Sequence, residues 1–281
     1  MQHRRNEQTQ KPDCSATSAF TPGRQTSPRS LQAIAIPGIP EVHPHSDLGA
    51  IIGDAIEKSG HGFVQGDVIV AAQKIVSKAE GRHVDLANVN PGARAIQLAN
   101  ETGKDARLVE VILSESNRVV RHRLGVLIVE HRLGFVLANA GVDQSNVNPA
   151  TGSEPVLLLP ENPDASAERL RAQLAQRFNC EPAVIINDSF GRPWRLGTTG
   201  TALGAAGLPA LMDMRGRPDL FNRPLYVTEV GFADEIAATA SLLMGQANEG
   251  CPVVLIRGLT WSVPPNPAAS LLRNHEQDLF R

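Results

Sequence analysis

The chain has 281 residues, a formal net charge of −2, 42% apolar residues and only 4% aromatic ones. Such a length buries a substantial core, which Val, Ile, Leu and Ala must build, and the near-neutral charge argues against neutralising a phosphate backbone, so no nucleic acid partner is expected. Three scattered cysteines (Cys14, Cys180 and Cys251) with no C-x-x-C pair disfavour a zinc site or a disulfide framework and fit a reducing cytoplasm; no apolar run approaches the ~20 residues that cross a bilayer, so no membrane association is expected.

Residues 1–30 are rich in Gln, Ser, Thr, Pro and Arg. They have too few apolar groups to offset the entropy of ordering, which predicts a disordered tail. Arg4 and Arg5 are followed by no hydrophobic stretch, so no signal peptide is expected. Order is expected over residues 31–262, in two intertwined subdomains, followed by a C-terminal tail at 263–281.

A strand is predicted at 32–36. Ser46 or Asp47 is placed to cap a helix running to Lys58, and 67–72 reads as a buried strand. Residues 91–102 predict a helix that opens near Pro91 and stops at Gly103, and 108–119 predict another. The runs 126–129 and 134–138 predict a hairpin. Leu170 and Leu174, four apart, mark an amphipathic helix over 166–178, followed by a strand at 183–186. A helix at 233–244 and a closing strand at 252–256 complete the pattern. Prolines 264, 265 and 267 break it, and a short helix over 268–279 is the last element expected. The fold class is therefore α+β, with mixed sheets and flanking helices, and with neither a P-loop nor a Rossmann motif.

Polar turns next to apolar strands are the candidate chemical sites. In Gln73-Lys-Ile-Val-Ser-Lys-Ala-Glu-Gly81, Lys74 and Lys78 share one face if the stretch is helical. Spacing alone favours two solvated surface lysines; a polyphosphate contact is the alternative. In Asn139-Ala-Gly-Val-Asp-Gln-Ser-Asn146, Gly141 permits a sharp turn, and Asp143 and Asn146 are candidates to face a metal-bound nucleotide. In Asn187-Asp-Ser-Phe-Gly-Arg-Pro-Trp194, a carboxylate and a hydroxyl, Asp188 and Ser189, are offered to a hard cation, with Arg192 and Arg195 as anion ligands. Asp, Asn, Ser and Gly also make ordinary turns, so each stretch has a plain loop reading. Met244-Gly-Gln-Ala-Asn-Glu-Gly-Cys251 reads as a glycine C-cap and connector. The run from Gly197 to Gly207 fits close backbone packing as well as phosphate binding. His43, His45, His122 and His131 form no metal motif, and Cys180 and Cys251 read as buried thiols beside strands.

An ordered set of segments resembles the coenzyme F420-0:L-glutamate ligase family, the γ-glutamyl ligases of deazaflavin synthesis. The set comprises Gly38-Ile-Pro-Glu41, Gly66-Asp-Val-Ile-Val70 with the Gln73–Gly81 stretch, and Asn139-Ala-Gly-Val-Asp-Gln-Ser-Asn-Val147. It continues through Leu157-Leu-Leu-Pro160, Pro163-Asp-Ala-Ser166, Asp188-Ser-Phe-Gly-Arg192, Ala233-Asp-Glu-Ile-Ala237, Leu243-Met-Gly245 and Val253-Val-Leu-Ile-Arg-Gly258. The resemblance implies a cytoplasmic, homodimeric, GTP-dependent ligase. GTP would phosphorylate the terminal carboxylate of coenzyme F420-0, and L-glutamate would attack the acyl phosphate; later turnovers would add γ-linked glutamates. It also implies Mg²⁺ or Mn²⁺, with K⁺ as a helper. By the same resemblance, nucleotide contacts fall on Ile39, Pro40, Glu41, Val42, Gln73, Lys74, Lys78 and Asn146. They continue over Met244, Gly245, Gln246, Ala247, Asn248, Glu249, Gly250 and Cys251. Metal ligands fall on Asp143, Asp188, Ser189 and Gln246, where the neutral amide of Gln246 departs from a more acidic pattern. Asp143, Asp188 and Lys78 are the expected catalytic set. The chain resembles the stand-alone form, with no reductase-like extension. Two other classes fit the same residues: a nucleotide-dependent kinase or ligase for a different acid, and a non-catalytic nucleotide- or deazaflavin-binding protein.

Overall fold

The computed structural model describes residues 30–145 and 154–279. The expected N-terminal tail, apart from Ser30, and the expected nucleotide contact Asn146 lie outside the described residues, as does Cys14.

A five-stranded sheet organises the larger part of the molecule. Its strands are β1 (Gln32–Ala35), β2 (Val68–Ala72), β8 (Ala183–Arg192), β9 (Arg195–Ala206) and β12 (Val253–Arg257), in the order β1-β12-β2-β8-β9. Only β2 and β8 run parallel; the other neighbours are antiparallel. β2, β12 as far as Ile256 and β8 from Ala183 to Ile186 are apolar because both faces are covered, and alternate residues serve opposite cores. Ile69, Ala71, Val184, Ile186, Val253 and Leu255 join one core, with Ile52 and Ile56 of α1 (Leu48–Lys58) and Leu170 and Leu174 of α5 (Pro163–Phe178). Val68, Val70, Ile185, Val254 and Ile256 join the other, beneath Phe232, Ile236 and Ala240 of α6 (Phe232–Met244).

A third core lies apart from that sheet. It takes Leu98 from α3 (Ala93–Thr102), Val109 and Ile112 from α4 (Ala106–Ser114), and Leu127 and Val129 from β5 (Val126–His131). Val156 of β7 (Pro155–Leu157), which pairs with β3 (His83–Asp85), closes it. β5 is the middle strand of a small sheet, between β4 (Ser116–Arg123) and β6 (Val136–Ala138). A two-stranded ribbon of β10 (Met212–Asp213) and β11 (Glu229–Val230) completes the described strands. The α+β expectation with mixed sheets and flanking helices holds.

Several local expectations hold for the stated physical reasons. Asp47 caps α1 by accepting Ala50 N–H at 3.0 Å. Gly103 ends α3 in the left-handed conformation, φ +69°. The stretch after β2 is helical, as α2 (Gln73–Ala79). The expected hairpin forms between β5 and β6, with Gly134 N–H donating to His131 O at 2.7 Å.

Four expectations are corrected. The helix predicted over 108–119 stops at Ser114, and β4 begins at Ser116. Ser116 Oγ donates back to Ile112 O at 2.5 Å, and the Val119–Val129 pairing draws the chain into the small sheet. The polar stretch after Ile186 is not a turn: β8 runs on through Asp188 and Ser189 to Arg192, because β9 pairs with it along its length. The glycine-rich run 197–207 is likewise strand as far as Ala206, and Gly200, Gly204 and Gly207 serve close packing, whereas Gly197 faces open space. The predicted helix over 268–279 is two short 3₁₀ turns, Ala268–Leu271 and His275–Gln277. Asp164 accepts the N–H groups of Ala268 and Ala269 at 2.8 and 3.2 Å and anchors the first of them.

Candidate functional site

β2 delivers its C-terminal end directly into α2, and β8 runs parallel beside it. Ala72 pairs with Asn187, so the lysine-bearing helix and the Asn187–Ser189 segment start from one level of the sheet. A cavity of about 440 Å³ opens there. Its wall comprises Ile39, Pro40, Glu41 and Val42; Gln73, Lys74 and Lys78 of α2; Asp188 and Ser189 of β8; and the full run from Met244 to Cys251. Every described residue expected to touch nucleotide is in that wall. Ligand sites at the carboxyl ends of parallel strands are a general consequence of such topology.

The walls are fixed by buried polar contacts. Gln73 is buried, and its Oε1 accepts the Ser77 hydroxyl at 2.8 Å. Val42 and Met244 are core residues, so they offer the cavity little more than backbone and edge. The connector after α6 is bound to itself: Glu249 Oε2 accepts Ala247 N–H at 2.8 Å, and backbone N–H groups hold this carboxyl below its usual range. Gly245, at φ +71°, has Glu249 packed where a Cβ would stand. Partial burial pushes the Cys251 thiol up, but Cys251 is only half-buried and lines the cavity, so the buried-thiol expectation is corrected for it. Cys180 is buried in the core.

Asp143 follows a 3₁₀ turn, Asn139–Gly141, in which Asn139, Ala140 and Gly141 all have positive φ. Backbone bonds in both directions with Leu157, at 3.0 and 2.8 Å, fix its position. Its carboxylate accepts Ser145 N–H at 2.7 Å and meets Lys74 Nζ at 2.6 Å. Asp143 is not in the cavity wall itself; Lys74 connects them. Burial acts to raise its pKa, but the Lys74 ammonium and the Ser145 N–H outweigh this and hold it below the usual range. Asp188 differs. Burial pushes its carboxyl up to about 6, the nearby Asp143 charge adds to the rise, and Ser189 N–H (2.8 Å) and Lys74 only partly offset it. Lys74 is thus ion-paired with Asp143, and its charge also acts on Asp188.

That arrangement fits a hard divalent cation. Asp188, Ser189 and Gln246 face the cavity, and Asp143 stands behind Lys74. Asp188 is raised chiefly by burial, so a bound cation would favour its ionised form. Among the described residues no group of three or more His, Cys, Asp and Glu side chains forms a complete metal cage. Two carboxylates with added substrate oxygens are the usual donor set for Mg²⁺.

Asn187 is a residue of the cavity wall that sequence reasoning did not single out. It is buried. Its Nδ2 donates to Ser241 Oγ at 3.0 Å and reaches Met244 Sδ at 3.3 Å, while its Oδ1 accepts Thr201 N–H at 3.0 Å. Only its place at the end of an apolar run could have flagged it. Arg192 and Arg195, expected to hold anions, sit opposite each other at the exposed tip of the β8–β9 hairpin and are not in the wall. Among the described histidines, His131 is fully buried against Glu115, and none lines the cavity. Among the described residues no helix is long and apolar enough to cross a membrane.

Comparison with known proteins covers the same ground. The family model described as F420-0:Gamma-glutamyl ligase matches residues 38–258. The chain is 43% identical over 253 residues to coenzyme F420:L-glutamate ligase of Methanothermobacter thermautotrophicus, covering 89% of this chain and 99% of that protein. It is 42% identical over 256 residues to the protein of the same name from Methanopyrus kandleri, covering 90% and 98%. A third such protein, from Natronomonas pharaonis, is 40% identical over 258 residues, covering 89% and 95%.

Proposed function

The chain belongs to the F420-0:gamma-glutamyl ligase family, and from that premise we propose that it joins L-glutamate to the terminal carboxylate of coenzyme F420-0 at the expense of GTP. The γ-phosphoryl group of GTP passes to a carboxylate oxygen of the precursor, giving an acyl phosphate and GDP. The amine of L-glutamate then attacks the acyl carbon, the amide bond forms, and inorganic phosphate leaves with the carbon–oxygen bond electrons. A repeated cycle on the γ-carboxylate of the added residue extends the chain.

One observation carries this reading: the described nucleotide-contact segments, distant in sequence, line one cavity that also holds Asp188 and Ser189. Lys74 and Lys78 are suited to phosphate oxygens, as compact cations on flexible stems. The 39–42 and 244–251 segments form the walls between which a nucleoside would lie. Asp143, Asp188, Ser189 and Gln246 would hold Mg²⁺ or Mn²⁺, which supplies charge neutralisation and alignment for phosphoryl transfer. K⁺ as helper, a homodimeric state and a cytoplasmic location complete the proposal.

The test is direct. The protein is incubated with coenzyme F420-0, GTP, Mn²⁺ and L-glutamate, and products are read by mass spectrometry. The expected outcome is a mass gain of one or more glutamyl residues with release of GDP and phosphate, lost in Asp188→Asn. Parallel arms with ATP and with other carboxylic acids decide the alternatives. Turnover only with another acid would replace the substrate assignment, and nucleotide binding without any product would support a binding protein instead.

A further inference from the structure

Lys74 and the two carboxylates around it make a charge arrangement that restricts what can enter the cavity. We propose that Lys74 is the resident counter-ion of Asp143 and Asp188, so that the site takes a divalent cation as a complex with an anionic nucleotide and discriminates against the bare cation. The inference rests on the functional reading above and deepens it, by naming the form in which the metal is bound.

Lys74 Nζ lies 2.6 Å from Asp143 Oδ2, with the two side chains 29% and 28% exposed. Its stem projects from the first turn of α2, and it shares the cavity wall with Asp188 and Ser189. A cation bound by both carboxylates must take over the oxygen that now faces this ammonium. The two carboxylates and the one ammonium leave a single negative charge, and adding a bare dication leaves a single positive one. The displaced ammonium then needs a new anion. The remaining acidic groups of the wall are poor candidates: Glu249 is folded onto Ala247 N–H, and Glu41 is exposed in the separate 39–42 segment. A nucleotide polyphosphate answers both needs, because its oxygens complete the cation's coordination and receive Nζ. A lysine side chain can make that exchange by rotating its stem, with no backbone movement.

The experiment measures Mn²⁺ binding to the intact protein by paramagnetic resonance of the free ion, with folding followed by circular dichroism. It uses the wild type, Lys74→Met and Lys74→Arg, and in each case Mn²⁺ is titrated alone and with a non-hydrolysable GTP analogue. Removing a cation a few ångströms from the site should tighten bare Mn²⁺ binding by about ten- to hundred-fold in Lys74→Met. Lys74→Arg, which keeps the charge, should stay close to the wild type. With the analogue present the order reverses, and the wild type binds Mn²⁺ more tightly than Lys74→Met. The gain in Lys74→Met must vanish when Asp188→Asn is added. Bare Mn²⁺ binding that is unchanged in Lys74→Met, or insensitive to Asp188→Asn, overturns the proposal. So does wild-type protein that binds Mn²⁺ as tightly without nucleotide as with it. Because the bare-ion titration needs no turnover, absence of glutamate transfer would refute the functional reading while leaving this result intact.

Discussion

Glu115 stands just past the end of α4, with Arg82 Nη2 at 2.8 Å, Arg132 Nε at 3.1 Å and His131 Nε2 at 3.4 Å from one carboxylate oxygen. His131 Nδ1 accepts Leu133 N–H at 2.9 Å, which places the ring proton on Nε2, facing Glu115. Burial acts to raise the Glu115 pKa, but His131 and the two guanidinium groups outweigh it and bring it down to about 2 from an ordinary 4.5. A depressed carboxyl pKa contributes stability that is complete above pH 4.5 and is lost as the pH falls toward 2. The span corresponds to up to about 3 kcal/mol. Glu115→Gln should therefore lower unfolding stability by that order at pH 7, with the gap to the wild type closing below pH 4.5. Urea titrations at a series of pH values check this, and a gap independent of pH would show that the charge is not the cause. None of this cluster was legible in the sequence, because its members come from β3's approach, the end of α4 and the β5–β6 hairpin. Lys74 and Lys78 were legible as a pair, since a four-residue spacing on a helix is local. The Asp143 partner of Lys74 was not, as it lies across the molecule from α2 in sequence.

The β8–β9 hairpin shows why elements are harder to read where two opposite demands meet. Between Ile186 and Asn187 the ladder slips by one residue, with Ile186 facing Gly204 and Asn187 facing Ala202. This bulge lets Gly200 pack against Ala237 and Ser241 of α6 while Gly204 packs against Pro163 at the start of α5. A Cβ at either position would overlap its neighbour's backbone. Gly200→Ala and Gly204→Ala should each cost about 1–3 kcal/mol through overpacking. They should differ in function. Gly200 sets the seat of α6, whose C-terminal Met244 leads into the cavity wall, so its substitution should also weaken nucleotide binding; Gly204→Ala should not. Urea unfolding and nucleotide titration on both variants separate the effects, and equal weakening in both would break the link to α6. The apolar runs of β2, β8 and β12 were legible because both faces are buried. The continuation of β8 through Asn187–Arg192 was not, since its polar and glycine residues have turn chemistry and only the long pairing with β9 makes them strand. The same competition turned the end of the predicted 108–119 helix into β4.

At the scale of the whole molecule, the cavity lies where separately packed cores approach each other. Asp188 belongs to the five-stranded sheet and Lys74 to α2, which continues directly from β2 of that sheet, whereas Asp143 follows the small β4–β5–β6 sheet and is bonded to Leu157 of β7, beside the third core. The charges are thus mounted on different packing units, and the Lys74–Asp143 pair is one tie between them. A ligand that engages both sides should transmit its binding free energy into both. At a hundred times its Kd, a single-site ligand adds about 2.7 kcal/mol to the stability of everything that must be folded to bind it. Hydrogen exchange on the protein with Mn²⁺ and a non-hydrolysable GTP analogue should show new protection in two places: β2 and β8 of the large sheet, and the β3–β7 pair with the Asn139–Gly141 turn. In Asp143→Asn the protection at β2 and β8 should persist in reduced form, because Lys74, Lys78 and Asp188 remain in the wall. Protection at β3–β7 should fall away, because the carboxylate that joins that unit to the bound complex is gone. Protection that stays equal at both places in Asp143→Asn would mean that the two units are coupled through packing alone, with the charges of the cavity playing no part in joining them.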